Sequence, residues 1–382
     1  MESLTIQSVE GLIVGIPLRF TFRHALASRS EGEAIILRIA SDDGRAGFGE
    51  CAPRSYVSGE TLDTVQQALE TSLVPRILGA RFSEFGEAVS LLEGMLPGLP
   101  RNQHAAFCAL ELAILDLAGK RFNRSVGEVL GPPALPAVRY SAIVSADGVP
   151  EALKTCEMAK LYGFRSVKVK VGSDPDRDLE ILRGARQILG DSCSLRADAN
   201  CAWDLEEALR RLDSFAPLRL DGIEQPLRPD DLAGQAALTR RSPIPIIADE
   251  SLVSFEDARR LADAGACHCF NIRISKCGGL LNSLRIRELG RSTGIAFMLG
   301  AQVGETALLS AAGRQFATRS PEARFFEGSY GSILLEEDIA REDLTVGPGG
   351  KAPALAGPGL GVEVDEERLS KWVRGRKEFG GG

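Results

Sequence analysis

The sequence S-V-K-V-K-V at 166–171 is followed, at nearly constant intervals, by D-A-N at 198–200, I-E-Q-P at 223–226, A-D-E-S at 248–251 and I-S-K-C-G-G at 274–279. A short apolar or alternating run leads into each of these segments, which is the pattern of a β-strand that ends in polar residues. The stretches between them have apolar residues at helical spacing. Strand and helix therefore alternate along this part of the chain.

The complete alternation predicts a barrel. Strands are predicted at 139–144, 166–171, 194–197, 222–224, 246–248, 270–274, 296–299 and 324–327, with helices between them, for example at 178–189, 205–215, 255–264 and 280–293. Repeated strand-and-helix units of this kind describe a TIM-type β/α barrel better than a doubly wound sheet. The predicted fold class is α/β, with a modified TIM (β/α) barrel at 126–340.

The first 125 residues have a mixed organisation. Strands are predicted at 8–17 and 34–40, and helices at 61–78, 83–95 and 104–120, which indicates an α+β unit. Prolines at 132, 133 and 136 mark a hinge before the barrel. The glycine-rich stretch at 341–382 is expected to be a C-terminal tail that packs back on the first unit. The predicted domains are therefore an N-terminal α+β domain (1–125), the barrel (126–340) and this tail.

The composition argues against several classes of function. A net charge of −7 disfavours a nucleic-acid partner, because such proteins usually carry a basic face. No apolar run approaches the roughly 20 residues of a membrane span, and the N-terminus lacks the pattern of a secretion signal. The eight cysteines lack the spacing of a disulfide framework, and C-H-C at 267–269 lacks a second pair of zinc ligands. We expect a cytoplasmic protein that acts on a small molecule.

Acidic side chains recur where predicted strands end. Asp198, Glu224 and Asp249 are separated by 26 and 25 residues (224 − 198 and 249 − 224), about one strand-and-helix unit each. A single acid at a strand end is commonly a helix cap. Three acids at equivalent positions of successive units meet at the end of the barrel that carries active sites. Three converging carboxylates repel one another unless a cation lies between them, and all-oxygen ligands suit Mg²⁺ better than zinc. The spacing predicts a Mg²⁺ site, in which Mn²⁺ could substitute.

Lysines flank this predicted site. Lys168 and Lys170 are two residues apart on one strand, so both side chains point into the barrel. A neighbouring ammonium and a bound cation favour loss of a proton from Lys170, which predicts that Lys170 is a base and Lys168 its partner. Lys276 follows the sixth strand on the opposite side and is predicted to reach the other face of the substrate. A carboxylate substrate would lose its α-proton to a lysine and form an enediolate that the ion stabilises.

Taken together, these segments resemble the enolase superfamily, and specifically its muconate lactonizing enzyme subgroup (the mandelate racemase/muconate lactonizing enzyme family). The resemblance extends over nearly the whole chain, including G-E-C-A-P at 49–53 and S-G-E-T at 58–61, and it implies that the N-terminal α+β domain (1–125) is a capping domain. It implies that Lys170 and Lys276 are the catalytic lysines, with Lys168 as the neighbour of Lys170. The metal ligands that it implies are Asp198, Glu224 and Asp249. It also implies a homo-oligomer, either a dimer or an octamer.

Further site residues follow from the resemblance. It implies that Asn200 and Glu250 support the metal site and the distal lysine. The loops of the capping domain are implied to contact the substrate around Phe20, His24 and Tyr56.

Sequence differences between subgroups of the superfamily reduce the number of possible reactions, but they do not identify the substrate. Mandelate racemase-like members use a His–Asp pair on late strands, and no histidine follows position 268 here. Related dipeptide epimerases carry Asp-x-Asp on the eighth strand, where this sequence has Gly328 and Tyr330. Muconate cycloisomerases keep a glutamate nearby, but Glu327 stands one residue early, which reverses its direction on a strand.

The end of the seventh predicted strand also departs from both kinds of relative. Gln302 and Glu305 are predicted there as site residues without an assigned role, and Glu327 as a further substrate contact. The resemblance implies an isomerase of a small carboxylate, acting by racemisation, epimerisation or muconate cycloisomerase-like cycloisomerisation. A lyase, of the dehydratase or o-succinylbenzoate synthase type, is the alternative.

Overall fold

The structure is a computed structural model that describes residues 3–24, 27–145, 148–172 and 174–380, with the backbone alone at 23, 24 and 27. The strands are β1 (Leu4–His24), β2 (Ala27–Ser41), β3 (Ala46–Cys51), β4 (Arg81–Phe82), β5 (Ala137–Arg139), β6 (Ala142–Val144), β7 (Ser166–Lys170), β8 (Ser194–Asp198), β9 (Gly222–Glu224), β10 (Ile246–Ala248), β11 (Cys269–Arg273), β12 (Ala296–Gly300), β13 (Lys351–Pro353) and β14 (Val373–Phe379). The helices are α1 (Leu62–Ala68), α2 (Phe85–Met95), α3 (His104–Phe122), α4 (Val149–Leu161), α5 (Pro175–Leu189), α6 (Leu205–Phe215), α7 (Leu232–Arg241), α8 (Phe255–Ala264), α9 (Gly279–Thr293), α10 (Ala307–Thr318), α11 (Gly331–Leu334) and α12 (Glu366–Trp372).

Strands β6 to β12 form one parallel sheet in sequence order, with the helices between them packed outside, which confirms the predicted α/β class. Strands β9, β10 and β11 are buried along their whole length, because one face lines the barrel interior and the other lies under helices. Residues 324–327 close the barrel: the Ser141 amide donates to the Phe326 carbonyl (2.8 Å) and the Leu299 amide to the Phe325 carbonyl (3.0 Å). This predicted eighth strand is thus present as a few backbone bridges, not as a regular strand.

Residues 139–144, predicted as one strand, belong to two. Strand β5 pairs with β13, whereas β6 joins the barrel beside β7. The chain changes partner between them, because the Tyr140 amide donates to the Gly350 carbonyl and the next amide, that of Ser141, donates across to Phe326. The prediction of a single strand was wrong because alternation of side chains does not show which neighbour the backbone bonds.

The N-terminal unit is an antiparallel sheet, ordered β14-β1-β2-β3, with helices on it. The predicted strands at 8–17 and 34–40 are the middle parts of the longer β1 and β2. The helix predicted at 61–78 is regular only over α1, and then continues as a π-helical turn (Leu69–Leu73) and a 3₁₀ turn (Val74–Arg76). Pro75 lies in that last turn and lacks the amide that a regular helix would use there. Strand β14 of the tail pairs with β1 on this sheet.

Helix α3 lies between the capping sheet and the barrel. Its side chains are buried from His104 to Gly119, which is the environment of a helix that is apolar on all sides. Its Glu111 accepts from the Leu281 amide (3.1 Å) at the start of α9, and burial raises the pKa of this carboxyl to about 8. From β3, Glu50 accepts from the amides of Thr306 (2.9 Å) and Leu309 (3.0 Å) at the start of α10. Buried carboxylates of the capping unit therefore cap two barrel helices. Within the ranges given above, no helix has both the length and the apolar character to cross a membrane.

Strand β3 approaches α3 too closely for any side chain at two of its positions. A Cβ added to Gly47 would lie 2.3 Å from the Ala113 carbonyl oxygen, and one added to Gly49 would lie 2.1 Å from that of Ala109. Both neighbours are helix backbone atoms, which cannot move independently of the helix. The sequence G-F-G-E at 47–50 is therefore a requirement of this contact.

We expect Gly49→Ala to lower the free energy of unfolding by about 1–3 kcal/mol or more, because the new methyl group must push β3 away from α3. Urea unfolding followed by circular dichroism measures this change. Gly94→Ala in α2 is the matched control: no atom lies within 4 Å of the added Cβ, and the change should stabilise the helix by about 0.5–1 kcal/mol. Equal unfolding midpoints for the two variants would contradict this description of the interface.

Candidate active site

Ten charged side chains meet at the ends of the barrel strands, and we call them the mouth cluster. They are the acids Asp198, Glu224, Asp249, Glu250 and Glu327 and the bases Lys168, Lys170, Arg196, Arg273 and Lys276. Nine are at most 8% exposed, and the side chain of Lys170 is 12% exposed. A buried charge without a partner costs several kcal/mol, so pairing determines how these side chains are arranged.

The two lysines of β7 differ in their partners. The Lys168 ammonium lies 2.7 Å from Glu327, 3.1 Å from Glu224 and 3.3 Å from Asp198. Burial alone would lower its pKa, but these three carboxylates raise the pKa of Lys168 above its ordinary value, so this side chain stays charged. Lys170 donates to Asp198 (2.6 Å) and to the side-chain carbonyl of Asn200 (2.8 Å). Lys170 is thus the lysine with fewer carboxylate partners and greater exposure.

Asn200 lies next to Lys170 and is bonded to Glu250, whereas the resemblance implied that both residues support the metal site and the distal lysine. The Asn200 amide nitrogen donates to Glu250 (3.0 Å), while its oxygen accepts from Lys170. Burial, followed by repulsion from Asp249 and Asp198, raises the pKa of Glu250 to about 7. Asn200 therefore fixes the direction of the Lys170 side chain.

On the opposite side, two bases surround Asp249. The Lys276 ammonium donates to the Asp249 carboxylate (2.7 Å), to its backbone carbonyl (2.7 Å) and to the Asn271 carbonyl (3.0 Å). The Arg273 guanidinium contacts the same carboxylate, lies 3.8 Å from Glu224 and donates to the Gln302 side chain (2.9 Å). Burial opposes ionisation of Asp249, but Arg273 and Lys276 hold its pKa below the ordinary value.

The three predicted metal ligands are fully buried and lie at neighbouring strand ends. Asp198 stands beside both Lys170 and Glu224 in the register of the sheet. Among the residues described, no three His, Cys, Asp or Glu side chains are placed so that they could hold an ion, because ammonium and guanidinium groups occupy the space between the acids.

The donor chemistry nevertheless fits a hard divalent cation. Burial, and then the charge of Asp198, raises the pKa of Glu224 to about 8, although Lys168 lies beside it. The neighbouring cationic side chains therefore do not overcome the effect of burial on the ionisation of Glu224. A bound divalent cation would add the positive charge that favours the ionised carboxylate. Oxygen atoms of Asp198, Glu224 and Asp249 are the ligand type that Mg²⁺ prefers.

The backbone is strained directly after the site acids. Asn200, Cys201, Gln225 and Ser329 have positive φ angles of 43°, 64°, 35° and 54°. Such conformations cost on the order of 1–3 kcal/mol each in residues other than glycine and are concentrated at functional sites. The turns that follow Asp198, Glu224 and Glu327 therefore hold these side chains in fixed directions.

Residues predicted in the capping unit are only partly described. Phe20 is 52% exposed on β1, and the side chain of His24 lies outside the described part of the chain. The Tyr56 hydroxyl accepts from Arg29 Nε (3.4 Å), whose guanidinium lies 5.7 Å from the Tyr56 ring centre. The neighbouring Arg54 is buried and donates to the Val303 carbonyl (2.7 Å), which ties this loop to the end of β12.

Gln302 and Glu305, the site residues predicted after β12, are linked to the mouth cluster by hydrogen bonds. Glu305 accepts from the Gln302 amide (2.7 Å), and the Gln302 side chain in turn accepts from Arg273. Burial raises the pKa of Glu305 to about 8. Glu327, predicted as a substrate contact, instead lies inside the barrel, 2.7 Å from Lys168 and 2.8 Å from Arg196, with 3% exposure.

Three residues of this site were missed from the sequence: Arg196, Arg273 and Asn271. Arg196 lies two residues before Asp198 on the same strand face, so alternation could have identified it. Arg273 is the last residue of β11 and follows Asp249 by 24 residues (273 − 249), close to the intervals between the acids. Asn271 donates to Glu224 (3.0 Å), but no spacing signal distinguishes it from other strand asparagines.

Each of the two parts of the chain matches a known protein family. Residues 8–131 match the mandelate racemase / muconate lactonizing enzyme N-terminal domain, and residues 151–368 match the enolase C-terminal domain-like family. These two matches cover most of the chain and divide it into a capping unit and a barrel.

Individual relatives include several isomerases. The chain is 32% identical to an N-succinylamino acid racemase from Thermus thermophilus, over 97% of this chain and 99% of the relative. It is 29% identical to muconate cycloisomerase 1 from Pseudomonas putida, over 98% of this chain and the whole of the relative. A dipeptide epimerase from Cytophaga hutchinsonii, whose crystal structure contains Mg and the dipeptide D-Ala-L-Val, superimposes with a TM-score of 0.88 at 26% identity, covering 98% of this chain and 100% of the epimerase.

We expect Glu327→Gln to lower the free energy of unfolding by about 3–5 kcal/mol, because it leaves the buried charges of Lys168 and Arg196 without one of their carboxylates. Glu322→Gln is the matched control, since its partner Arg291 has a side chain that is 46% exposed, and surface pairs contribute about 0–1 kcal/mol. Chemical unfolding of both variants at one pH gives the comparison. A loss for Glu327→Gln as small as that for the control would mean that the cluster does not depend on its pairing.

Proposed function

The chain belongs to the enolase superfamily, within its mandelate racemase and muconate lactonizing enzyme family, and on that premise we propose that it is a Mg²⁺-dependent isomerase that removes the α-proton of a carboxylate substrate. The observation that carries the proposal is the position of Lys170. Its ammonium lies 2.6 Å from the buried carboxylate of Asp198 at the barrel mouth, and its side chain is more exposed than that of Lys168. Relatives named as racemases, epimerases and cycloisomerases support the class of reaction.

Asp198, Glu224 and Asp249 would hold the metal ion. When bound, the ion would neutralise the substrate carboxylate and stabilise the negative charge that develops as the α-proton leaves. Enzymes of this family generally use a divalent metal, and the dipeptide epimerase from Cytophaga hutchinsonii contains Mg. The all-oxygen donor set of this chain supports the same class of ion.

The charges of the mouth cluster suggest which protonation states accompany the reaction. Its five acids and five bases have formal charges that balance. A divalent ion adds two positive charges. The formal charges balance again if the substrate adds one negative carboxylate and one lysine of the cluster loses its positive charge. Lys168, held by three carboxylates, keeps its proton. Lys170 has fewer carboxylate partners than Lys168, and a lysine accepts an α-proton as the neutral amine.

Other residues position this base. Asn200 directs the Lys170 side chain and is itself held by Glu250. Glu327, which also pairs with Arg196, holds Lys168 in the barrel interior, so the charge of Lys168 stays fixed there. The α-proton then passes from the substrate to Lys170 Nζ, and the electron pair of the C–H bond enters the substrate carboxylate to form an enediolate.

Metal binding is tested by calorimetry. We expect the protein to bind one Mg²⁺, and Asp198→Asn to weaken binding by more than the roughly 10–100-fold that loss of an outer-shell partner costs. Asp213→Asn, at an exposed position of α6, is the matched control and should bind Mg²⁺ as the unsubstituted protein does. Absence of Mg²⁺ binding, or equal affinity in both variants, would count against these ligands.

The role of Lys170 is tested by α-deuterium exchange in D₂O, followed by NMR on N-succinylamino acids, Ala-Glu dipeptides and muconate. We expect at least one of these classes to incorporate deuterium at the α-carbon. Lys170→Met should then reduce the rate by about 10²–10⁴-fold or more while Mg²⁺ binding is kept. Lys154→Met, at an exposed position of α4, should leave the rate unchanged. Exchange that persists in Lys170→Met would rule out this lysine as the base.

A further inference from the structure

We propose that the capping unit positions Lys276 by holding the turn that carries this lysine, and that it does so through Glu111 and Ser275. The proposal rests on the proposed function and deepens it, with Lys276 expected to reach the face of the α-carbon opposite Lys170. Glu111 and Ser275 are then positioning residues for proton transfer on that face.

Lys276 lies in the middle of a tight, buried turn between β11 and α9. The Gly279 amide donates to the Ile274 carbonyl (2.9 Å), which closes the turn around this lysine. Gly278 and Gly279 have positive φ angles of 81° and 88°, which residues with a side chain rarely adopt. All residues from 274 to 279 are buried. The direction of the Lys276 side chain therefore depends on the conformation of this turn.

The capping unit holds this turn at both ends. The Ala52 amide, directly after β3, donates to the hydroxyl oxygen of Ser275 (3.0 Å), the residue before the lysine. From α3, the buried Glu111 carboxylate accepts from the Leu281 amide (3.1 Å) and also bonds the Leu280 amide, in the first turn of α9. A buried amide without an acceptor is costly, so these contacts fix the turn relative to the capping unit.

The turn lies so close to α3 that neither of its glycines could carry a side chain. A Cβ added to Gly278 would lie 2.7 Å from the His104 ring, and one added to Gly279 would lie 2.2 Å from a carboxylate oxygen of Glu111. His104 and Glu111 are themselves buried and hydrogen-bonded, so neither can easily turn aside. A shift of α3 against the barrel would therefore move the turn, and Lys276 with it.

Lys170 is positioned by contacts within the barrel instead. It ends β7, and the Gly172 amide, two residues later, donates to the Asp178 carboxylate of α5 (2.7 Å). Its ammonium donates to Asn200, which also belongs to the barrel. A defect in the contact between the capping unit and the Lys276 turn should therefore affect one lysine and spare the other.

The expected effect on proton transfer is selective. The lysine on one face takes the α-proton as a neutral amine, and the C–H electron pair enters the substrate carboxylate to form the enediolate. The protonated lysine on the other face then returns a proton to the same carbon. A displacement of a reacting group by about 1 Å costs on the order of 10²-fold in rate. Weakening the Glu111 contact should thus slow exchange from the configuration whose α-proton Lys276 removes.

This selectivity is measured by α-deuterium exchange in D₂O, with both configurations of N-succinylamino acids and of Ala-Glu dipeptides. We expect Glu111→Gln to reproduce the pattern of Lys276→Met over the two configurations. Exchange from one configuration should fall by about 10–100-fold, while exchange from the other is nearly unchanged. Ser275→Ala removes a single hydroxyl group and should show the same selectivity, so it decides the question if Glu111→Gln does not fold.

Asp116→Asn is the matched control. Asp116 is also a buried carboxyl of α3, but it accepts from the amides of Phe48 (3.0 Å) and Leu360 (2.9 Å), which lie outside the turn. A variant that only loosens α3 should slow exchange from both configurations by the same factor. The proposal would be overturned if Glu111→Gln and Ser275→Ala behaved like this control, showed the pattern of Lys170→Met, or lost no exchange.

Hydrogen–deuterium exchange of the substrate-free protein, followed by mass spectrometry, separates this proposal from the proposed function. We expect the backbone amides of 274–282 to exchange at least about tenfold faster in Glu111→Gln than in the unsubstituted protein, and those of 166–172 to be unchanged. Unchanged exchange at 274–282 would overturn the proposal. If no compound, including muconate, exchanges its α-proton with the unsubstituted protein, the proposed function fails, and the amide exchange still decides whether the capping unit holds this turn.

Discussion

The pairing of buried charges at the barrel mouth is the constraint on which the rest of the site depends. Five carboxylates and five cationic side chains share a volume that solvent hardly reaches; nine of them lie within 4.0 Å of an opposite charge, and Glu250 is bonded by the Asn200 amide instead. This requirement separates three lysines that look equivalent in the sequence. Lys168 is held by three acids, Lys276 is held by Asp249 and two backbone carbonyls, and Lys170 alone has a partly exposed side chain. Their different surroundings give them different roles.

The capping unit extends the same site through fixed contacts. Glu50 and Glu111 cap barrel helices α10 and α9, and Arg54 bonds the Val303 carbonyl after β12. A Cβ on Gly32 of β2 would lie 2.7 Å from the Gly304 carbonyl oxygen, so strand β2 of the capping unit lies directly against the loop after β12 that also contains Val303. The loop also carries Gln302, which accepts from Arg273. The position of the capping unit is thereby linked, through one loop, to the guanidinium at the mouth.

Much of the fold and part of the site could be predicted from the sequence, because both depend on local periodicity. The alternation of strands and helices predicts the barrel, and the 25- and 26-residue intervals bring Asp198, Glu224 and Asp249 to one rim. The exchange of partners between β5 and β6 was not predictable, since it depends on backbone bonds to residues more than 180 positions away (326 − 141 = 185). The role of Glu327 also depends on a distant partner, Lys168, which is 159 residues away. Spacing places a residue near a rim, but only the structure shows which of its donors and acceptors are already used.

The most direct measurement is a crystal structure of the protein grown with Mg²⁺ and oxalate, a small dicarboxylate that stands in for the enediolate. The account predicts one ion bound by oxygen atoms of Asp198, Glu224 and Asp249, with oxalate bound beside it and in contact with Lys170. An ion held by other acids, no ion at this mouth, or an oxalate out of contact with Lys170 would contradict it.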